Sequence, residues 1–237
     1  MRTSSFDRLA PEYQAGLEDP AKRALAGNYE LLVGMKLRLL RRFKKQVFGR
    51  RKIRILDFGC GMGDIAADLA AGPGVLQVVG ADESSGMIRE ARKRHRKVSS
   101  KVRWAWLRKS KLGHRKFDWI ISINTFHHIS PARRVAVARQ LLRSLAPGGV
   151  LSILEHNPTN PLTRWIVSRC PFDRGVKLLT VREAKDLLGM VGSSAQVRYL
   201  GFCPPKLPGS AWLEMLLGKL PWGVQFLAWA QKTSAQK

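Results

Sequence analysis

Ile53-Arg54-Ile55-Leu56-Asp57-Phe58-Gly59-Cys60-Gly61-Met62-Gly63 is a short apolar strand that ends in an acid and three alternating glycines, and a helical pattern begins at once. Glycine has no Cβ, so the backbone there can turn sharply, approach a bound ligand and leave the first N–H groups of the next helix free as donors. A phosphate-binding loop would place Lys and Ser or Thr after the last glycine, and neither stands there. A carboxylate at the strand tip, Asp57, suits a cationic group of a nucleotide-like cofactor instead. Gly-x-Gly-x-Gly also departs from the Gly-x-Gly-x-x-Gly of dehydrogenases.

Outward from that turn, Val75-Leu76-Gln77-Val78-Val79-Gly80-Ala81-Asp82 reads as a second apolar strand ending in an acid. It lies about 20 residues past the glycines, the interval at which such folds bind ribose hydroxyls, so Asp82 is the expected ribose ligand. Strands are expected near 53–57, 75–81, 101–107, 117–123 and 149–155, with helices near 63–71, 84–96 and 131–145. Strands alternating with helices specify a parallel sheet covered on both faces. Pro147-Gly148-Gly149 is expected to end the last of these helices and turn the chain into the fifth strand.

Four segments in order carry a resemblance: Ile55-Leu56-Asp57-Phe58-Gly59-Cys60-Gly61-Met62-Gly63-Asp64, Val78-Val79-Gly80-Ala81-Asp82-Glu83-Ser84-Ser85-Gly86-Met87, Phe117-Asp118 to Asn124-Thr125-Phe126-His127-His128-Ile129, and Leu145-Ala146-Pro147-Gly148-Gly149 to Glu155. Over residues 50–156 the chain thus resembles the class I S-adenosylmethionine-dependent methyltransferases. The resemblance implies an α/β fold: an open, mostly parallel, seven-stranded Rossmann-like sheet with helices on both faces and its last strand inserted antiparallel. It implies S-adenosylmethionine as cofactor, with the amino-acid end at Asp57, Gly59, Cys60, Gly61 and Gly63, the ribose at Asp82, and Glu83, Arg108 and Asn124 around the remainder. Arg108 stands where this family usually carries an acid that accepts from the adenine amino group, so backbone groups around residues 107–109 are the alternative adenine partners. Met87 is expected in the core, and Asp118, at the start of a strand, in a structural role.

The cofactor brings a good leaving group to methyl transfer, so the protein has mainly to align acceptor, methyl and sulfur and, for a hydroxyl or acidic carbon, to remove a proton. His127 and His128 follow the fourth strand at the carboxyl edge, where ligands of open α/β sheets bind. Their stretch resembles the His-His pair of small-molecule and sugar O-methyltransferases, and Glu155, at the tip of the fifth strand, is the further acid/base candidate. Its structural alternative is to anchor a loop. Asn124 lacks the Pro-Pro-Tyr/Phe that would follow it in exocyclic-amine methylases of nucleobases.

Forty-two Lys and Arg against 17 Asp and Glu leave a net charge of +25, and the bases cluster in 36–54, 89–116 and 133–143. Such a field favours an anionic partner: nucleic acid, acidic lipid headgroups or a phosphorylated substrate. The plain alternative is a set of basic, solvated helix faces. Cys60, Cys170 and Cys203 offer neither a disulfide framework nor paired metal-ligand spacing, so no metal is expected and a reducing cytoplasm is the expected compartment. No signal peptide or spanning segment is legible, so a soluble or membrane-peripheral protein is expected.

Two units are expected, a helical lid over residues 1–50 and a methyltransferase domain over 51–237. In the first, Leu25, Leu32, Met35, Leu39 and Phe43 make one apolar stripe. Beyond the fifth strand, 157–179 breaks the alternation, Thr180-Val181-Arg182-Glu183 is a capping box, and strands near 195–202 and 224–230 close the sheet. Segments 157–179 and 207–222, the latter rich in Leu with Trp212 and Trp222, are expected on the acceptor side. These features favour O-methylation of a small-molecule or lipid-linked acceptor, with peripheral association to anionic membrane. The rivals are an RNA methyltransferase, although no RNA-binding module is visible, and a catalytically idle methyltransferase-like scaffold that binds membrane or a partner.

Overall fold

The structure is a computed structural model that describes residues 29–98, 100–108, 115–192, 194–202 and 210–233. The expected helical stretch before residue 29, with Leu25, lies outside them, as do Cys203 and residues 207–209.

Seven strands form one sheet: β1 (Ile53–Phe58), β2 (Val75–Asp82), β3 (Val102–Trp106), β4 (Phe117–Ile123), β5 (Leu145–His156), β6 (Gln196–Leu200) and β7 (Gln225–Gln231). The order across it is β3-β2-β1-β4-β5-β7-β6, with β7 antiparallel to both neighbours and the other pairings parallel. The helices are α1 (Tyr29–Phe48), α2 (Asp64–Ala71), α3 (Ser85–Arg94), α4 (Pro131–Ser144), α5 (Pro161–Arg169), α6 (Val181–Gly189) and α7 (Ser210–Leu217). The central strands are apolar on both faces because both are covered; in β4, Phe117, Trp119, Ile120 and Ile121 are all buried.

One face packs Leu56, Ile120, Leu151 and Phe226 against Leu187 and Leu188 of α6. The other packs Ile55, Trp119 and Leu227 against Leu40, Phe43 and Phe48 of α1. Phe43 stacks on Trp119 with ring centres 5.4 Å apart, and the Trp119 indole N–H donates to Ser152 Oγ at 2.9 Å. The carboxyl-terminal half of α1 is thus core, and Arg41 pairs with Asp68 to tie it to α2. Thr180 and Glu183 form the reciprocal capping box that starts α6. Asp118 accepts from Arg54 N at 2.8 Å, holding the entry of β1 beside that of β4.

The start of β5 differs from expectation. α4 ends at Ser144 and β5 begins at once at Leu145, with Pro147 and Gly148 inside a register shift rather than in a turn before the strand. Phe117 already pairs with Leu145, and Gly148, at φ 68°, absorbs the bulge.

Candidate active site

The strand order reverses between β1 and β4, and a crevice opens there beyond the carboxyl ends of the strands. Four predicted polar residues meet at that edge because each ends or follows a parallel strand: Asp57 on β1, Asp82 on β2, Asn124 after β4 and Glu155 near the end of β5.

The three glycines of the turn, at φ 76°, 52° and 84°, do different work. A Cβ on Gly59 would sit 2.2 Å from Thr125 Oγ1, and one on Gly63 would sit 2.3 Å from the Trp104 ring. Those two are fixed by packing. A Cβ on Gly61 would meet nothing within 4 Å: its backbone faces open space, as a ligand-approaching turn requires. Cys60 shares the turn through its N–H, which donates to Ala81 O at 3.1 Å, while burial and the nearby Asp57 and Asp82 carboxylates raise its thiol pKa.

Asp57 is buried, its Oδ2 accepts no hydrogen bond among the described residues, and desolvation together with the Asp82 charge raises its pKa to about 7, with an Ala66 backbone N–H as the counterweight. A buried carboxylate without a cation is costly, so an ammonium group arriving here would satisfy the oxygen and restore the charge. Asp82 accepts from Gly61 N at 3.0 Å and Ser84 N at 2.8 Å, which fixes its carboxylate beside the turn. Glu83 and Arg108 form a half-exposed ion pair at 3.3 Å, and Trp106 Nε1 donates to Glu83 O at 2.9 Å. Asn124 is the one described non-glycine residue with positive φ, 50°, and its side-chain oxygen accepts from Gln225 Nε2 at 3.1 Å. The orphaned Asp57 oxygen and the open Gly61 fit the amino-acid end of S-adenosylmethionine.

On the other side of the crevice, His127 and His128 lie on a single 3₁₀ turn, Phe126–His128. Glu155 is fully buried; Oε1 accepts from Thr125 N at 2.9 Å and Phe126 N at 2.7 Å, and Oε2 lies 2.5 Å from His127 Nδ1. Glu155 therefore anchors the loop and orients His127. Asp173, from the turn after α5, completes the cluster: its Oδ1 lies 3.4 Å from His127 Nε2 and 3.5 Å from His128 Nε2. Burial pulls the His127 pKa down, but Glu155 and Asp173 outweigh it and raise it to about 9, while the bonds and charge of His127 lower the Glu155 carboxyl against its own desolvation. Burial and the His127 charge lower His128 to about 4, and the same causes lower His156 to about 4. The two carboxylates thus favour the charged form of His127, and burial the neutral form of His128. The ligating atoms of His127, His128 and Asp173 all lie within 4.8 Å of one another, so the same three could embrace a divalent cation, which the sequence had not suggested.

Asp173 and Trp104 are the site residues that sequence reasoning missed. Asp173 is the sole acid between residues 157 and 180, which was a legible signal. Trp104 has none, because its contact with Gly63 and Gly80 exists only once β2 and β3 pair. The crevice that joins these groups has a volume of about 2320 Å³, more than twice that of a single-ligand site at its usual upper size of about 1,000 Å³. Its lining takes Leu32, Met35, Lys36 and Arg42 from α1, and Ile166 and Phe172 from α5 and the turn after it.

Residues 55–149 match a methyltransferase-domain family. The chain is 30% identical over 166 residues to a demethylmenaquinone methyltransferase of Chlorobaculum parvum, across 67% of this chain and 61% of that protein. It thus spans 61% of the length of the curated relative it matches. Among solved structures, a SAM-dependent methyltransferase from Archaeoglobus fulgidus aligns over 86% of this chain and all of its own, at a TM-score of 0.59 and 17% identity. Phosphoethanolamine N-methyltransferase 2 of Haemonchus contortus aligns over 98% of this chain and 59% of its own, at 0.63 and 18%. Those two likenesses are of fold. The domain match, the sheet order and the glycine turn agree with one another and support a class I S-adenosylmethionine-dependent methyltransferase.

Proposed function

We propose that the chain binds S-adenosylmethionine across the β1–β4 switch point and methylates a hydroxyl of a small-molecule or lipid-linked acceptor, with His128 accepting the hydroxyl proton. One observation carries this: the His128 imidazole, 23% exposed in its side chain and held toward the neutral form by burial, lines the same crevice as the unsatisfied Asp57 carboxylate and the open Gly61 backbone. The bound cofactor supplies a methyl group on a sulfonium leaving group. Asp57 holds the cofactor's ammonium and Asp82 its ribose. His128 takes the proton as the acceptor oxygen forms its new bond to carbon, and Asp173, already within 3.5 Å, steadies the imidazolium that results. His127 and Glu155 are positioning residues: both side chains are buried, and their pairing aims the turn that presents His128.

The acceptor class rests on the lining of the crevice, where apolar side chains from α1 and α5 stand with the α1 cations Lys36 and Arg42. An apolar body with an anionic group suits that lining, and the curated relative is named for demethylmenaquinone. The test is incubation of the pure protein with methyl-labelled cofactor and host extract, fractionated into lipid, small-molecule and RNA pools. Label in the lipid or small-molecule pool is expected, at the same rate after chelator treatment. Label in RNA would give the basic surface to a nucleic-acid substrate, and dependence on an added divalent metal would give the His-Asp cluster to a cation.

A further inference from the structure

Leu76 and Val135 aside, every exposed large hydrophobic side chain among the described residues lies in two segments: Leu162 and Trp165 on α5, and five side chains between Trp212 and Trp222. The exposures are large for tryptophan: 71% at Trp222, 60% at Trp212 and 41% at Trp165. Hydrogen bonds join the two segments. Buried Asn157 donates from Nδ2 to Pro221 O at 2.9 Å and Gly223 O at 2.7 Å, Asn160 donates to Trp222 O, and Thr163 Oγ1 donates to Val224 O at 2.8 Å. The amino-terminal end of α5 and the loop after α7 are therefore one platform, stapled through backbone carbonyls.

Within the two segments the exposed charge has one sign, the next acid, Asp173, having a side chain only 9% exposed. Residues 157–172 contain no acid, and the sole acid in 210–231, Glu214, is turned into the fold, where it accepts from Gly201 N at 2.9 Å and Phe202 N at 2.7 Å. Arg164, Arg169 and Lys219 are exposed beside the apolar side chains, and the Arg169 guanidinium lies 4.6 Å over the Trp165 ring. Tryptophan beside arginine and lysine, with no competing carboxylate, is the composition that settles at the headgroup level of an acidic bilayer. No helix among the described residues is long and apolar enough to cross a membrane, so the contact is with the surface.

We propose that this α5 and post-α7 platform docks the protein on an anionic bilayer surface, with Trp165 and Trp222 inserted at headgroup depth. Leu162 and Pro221 of the platform also line the crevice, so docking places the mouth of the acceptor site on the bilayer. The docking stands on the exposed face alone; its use to admit an acceptor rests on the lipid-linked reading above.

The test is flotation of the full chain with vesicles of phosphatidylcholine, with and without about 40% phosphatidylglycerol. The wild type is expected to float with the acidic vesicles only, and on the order of tenfold less at 0.5 M than at 0.1 M salt. Joint Trp165→Ser and Trp222→Ser replacement should lower what floats at high salt by roughly tenfold, since that part comes from apolar insertion. Leu76→Ser with Val135→Ser, exposed elsewhere, should leave flotation unchanged, and near-ultraviolet circular dichroism checks the fold of both variants. Equal flotation on neutral vesicles, no effect of the tryptophan changes, or a dimer in sedimentation equilibrium that those changes dissolve would each overturn the proposal. Methyl transfer to a detergent-dispersed acceptor is measured alongside; transfer without flotation sinks the docking alone, and flotation without transfer sinks the acceptor reading alone.

Discussion

Replacing Asp57 by Asn should make the cofactor-free protein more stable, even though it damages the binding site. The carboxyl titrates near 7 in the folded chain against an ordinary 3.8, first because it is buried and then because Asp82 is close. An acid whose folded pKa is raised supports the fold fully below the unfolded value and loses that support as pH rises through the folded one. The shift of roughly three units corresponds to a destabilisation of about 4 kcal/mol at pH 8, and to less than about 1 kcal/mol at pH 4, where about 40% of the unfolded carboxyl is also protonated. Asp57→Asn keeps the shape and cannot ionise. Urea unfolding of the two proteins without cofactor should therefore show the variant ahead by about 2 to 4 kcal/mol at pH 8, with the gap closing by pH 4. Cofactor affinity, read by calorimetry, should fall in the same variant. A variant less stable than the wild type at pH 8, or a gap independent of pH, would refute the view that this carboxylate is held under strain for a cation.

His128→Ala should lower turnover at saturating cofactor by about 10²- to 10⁴-fold while leaving cofactor affinity in place. In the wild type, turnover should stay level down to about pH 5 and drop as His128 protonates near pH 4; near-normal turnover in the variant would remove His128 from the proton path. Glu155→Gln breaks a fully buried ion pair and weakens two backbone anchors, so a loss of about 3–5 kcal/mol in denaturant unfolding is expected. The His127 resonances should then titrate below about 9 by NMR; an unchanged His127 titration would show that Glu155 does not set its charge.

The sheet was legible because buried parallel strands must be continuously apolar and each ends at a turn. The Asp57 and Asp82 tips, the capping box at Thr180 and the antiparallel last strand all follow from short-range pattern or from the family resemblance. What stayed hidden depends on partners far apart in sequence. The roles of the glycines could not be separated until Thr125 and Trp104 were seen to occupy the space at Gly59 and Gly63. His127 and His128 look equivalent in sequence; Glu155 and Asp173, 28 and 46 residues beyond His127, raise the pKa of His127, while burial and the His127 charge lower that of His128. Pro147 and Gly148 carry a turn signal, yet pairing of Leu145 with Phe117 starts β5 before them.

Proton release on cofactor binding tests the central claim most directly. If the cofactor's ammonium settles on Asp57, the carboxyl must ionise, and from a starting pKa of about 7 the protein should release about 0.9 proton per cofactor bound at pH 6. Calorimetry of S-adenosylmethionine binding at pH 6, in buffers that differ in ionisation enthalpy, reads this number. The result expected is close to one proton from the wild type and close to none from Asp57→Asn. Binding of the cofactor to the wild type with no proton released would contradict the placement of its ammonium on Asp57.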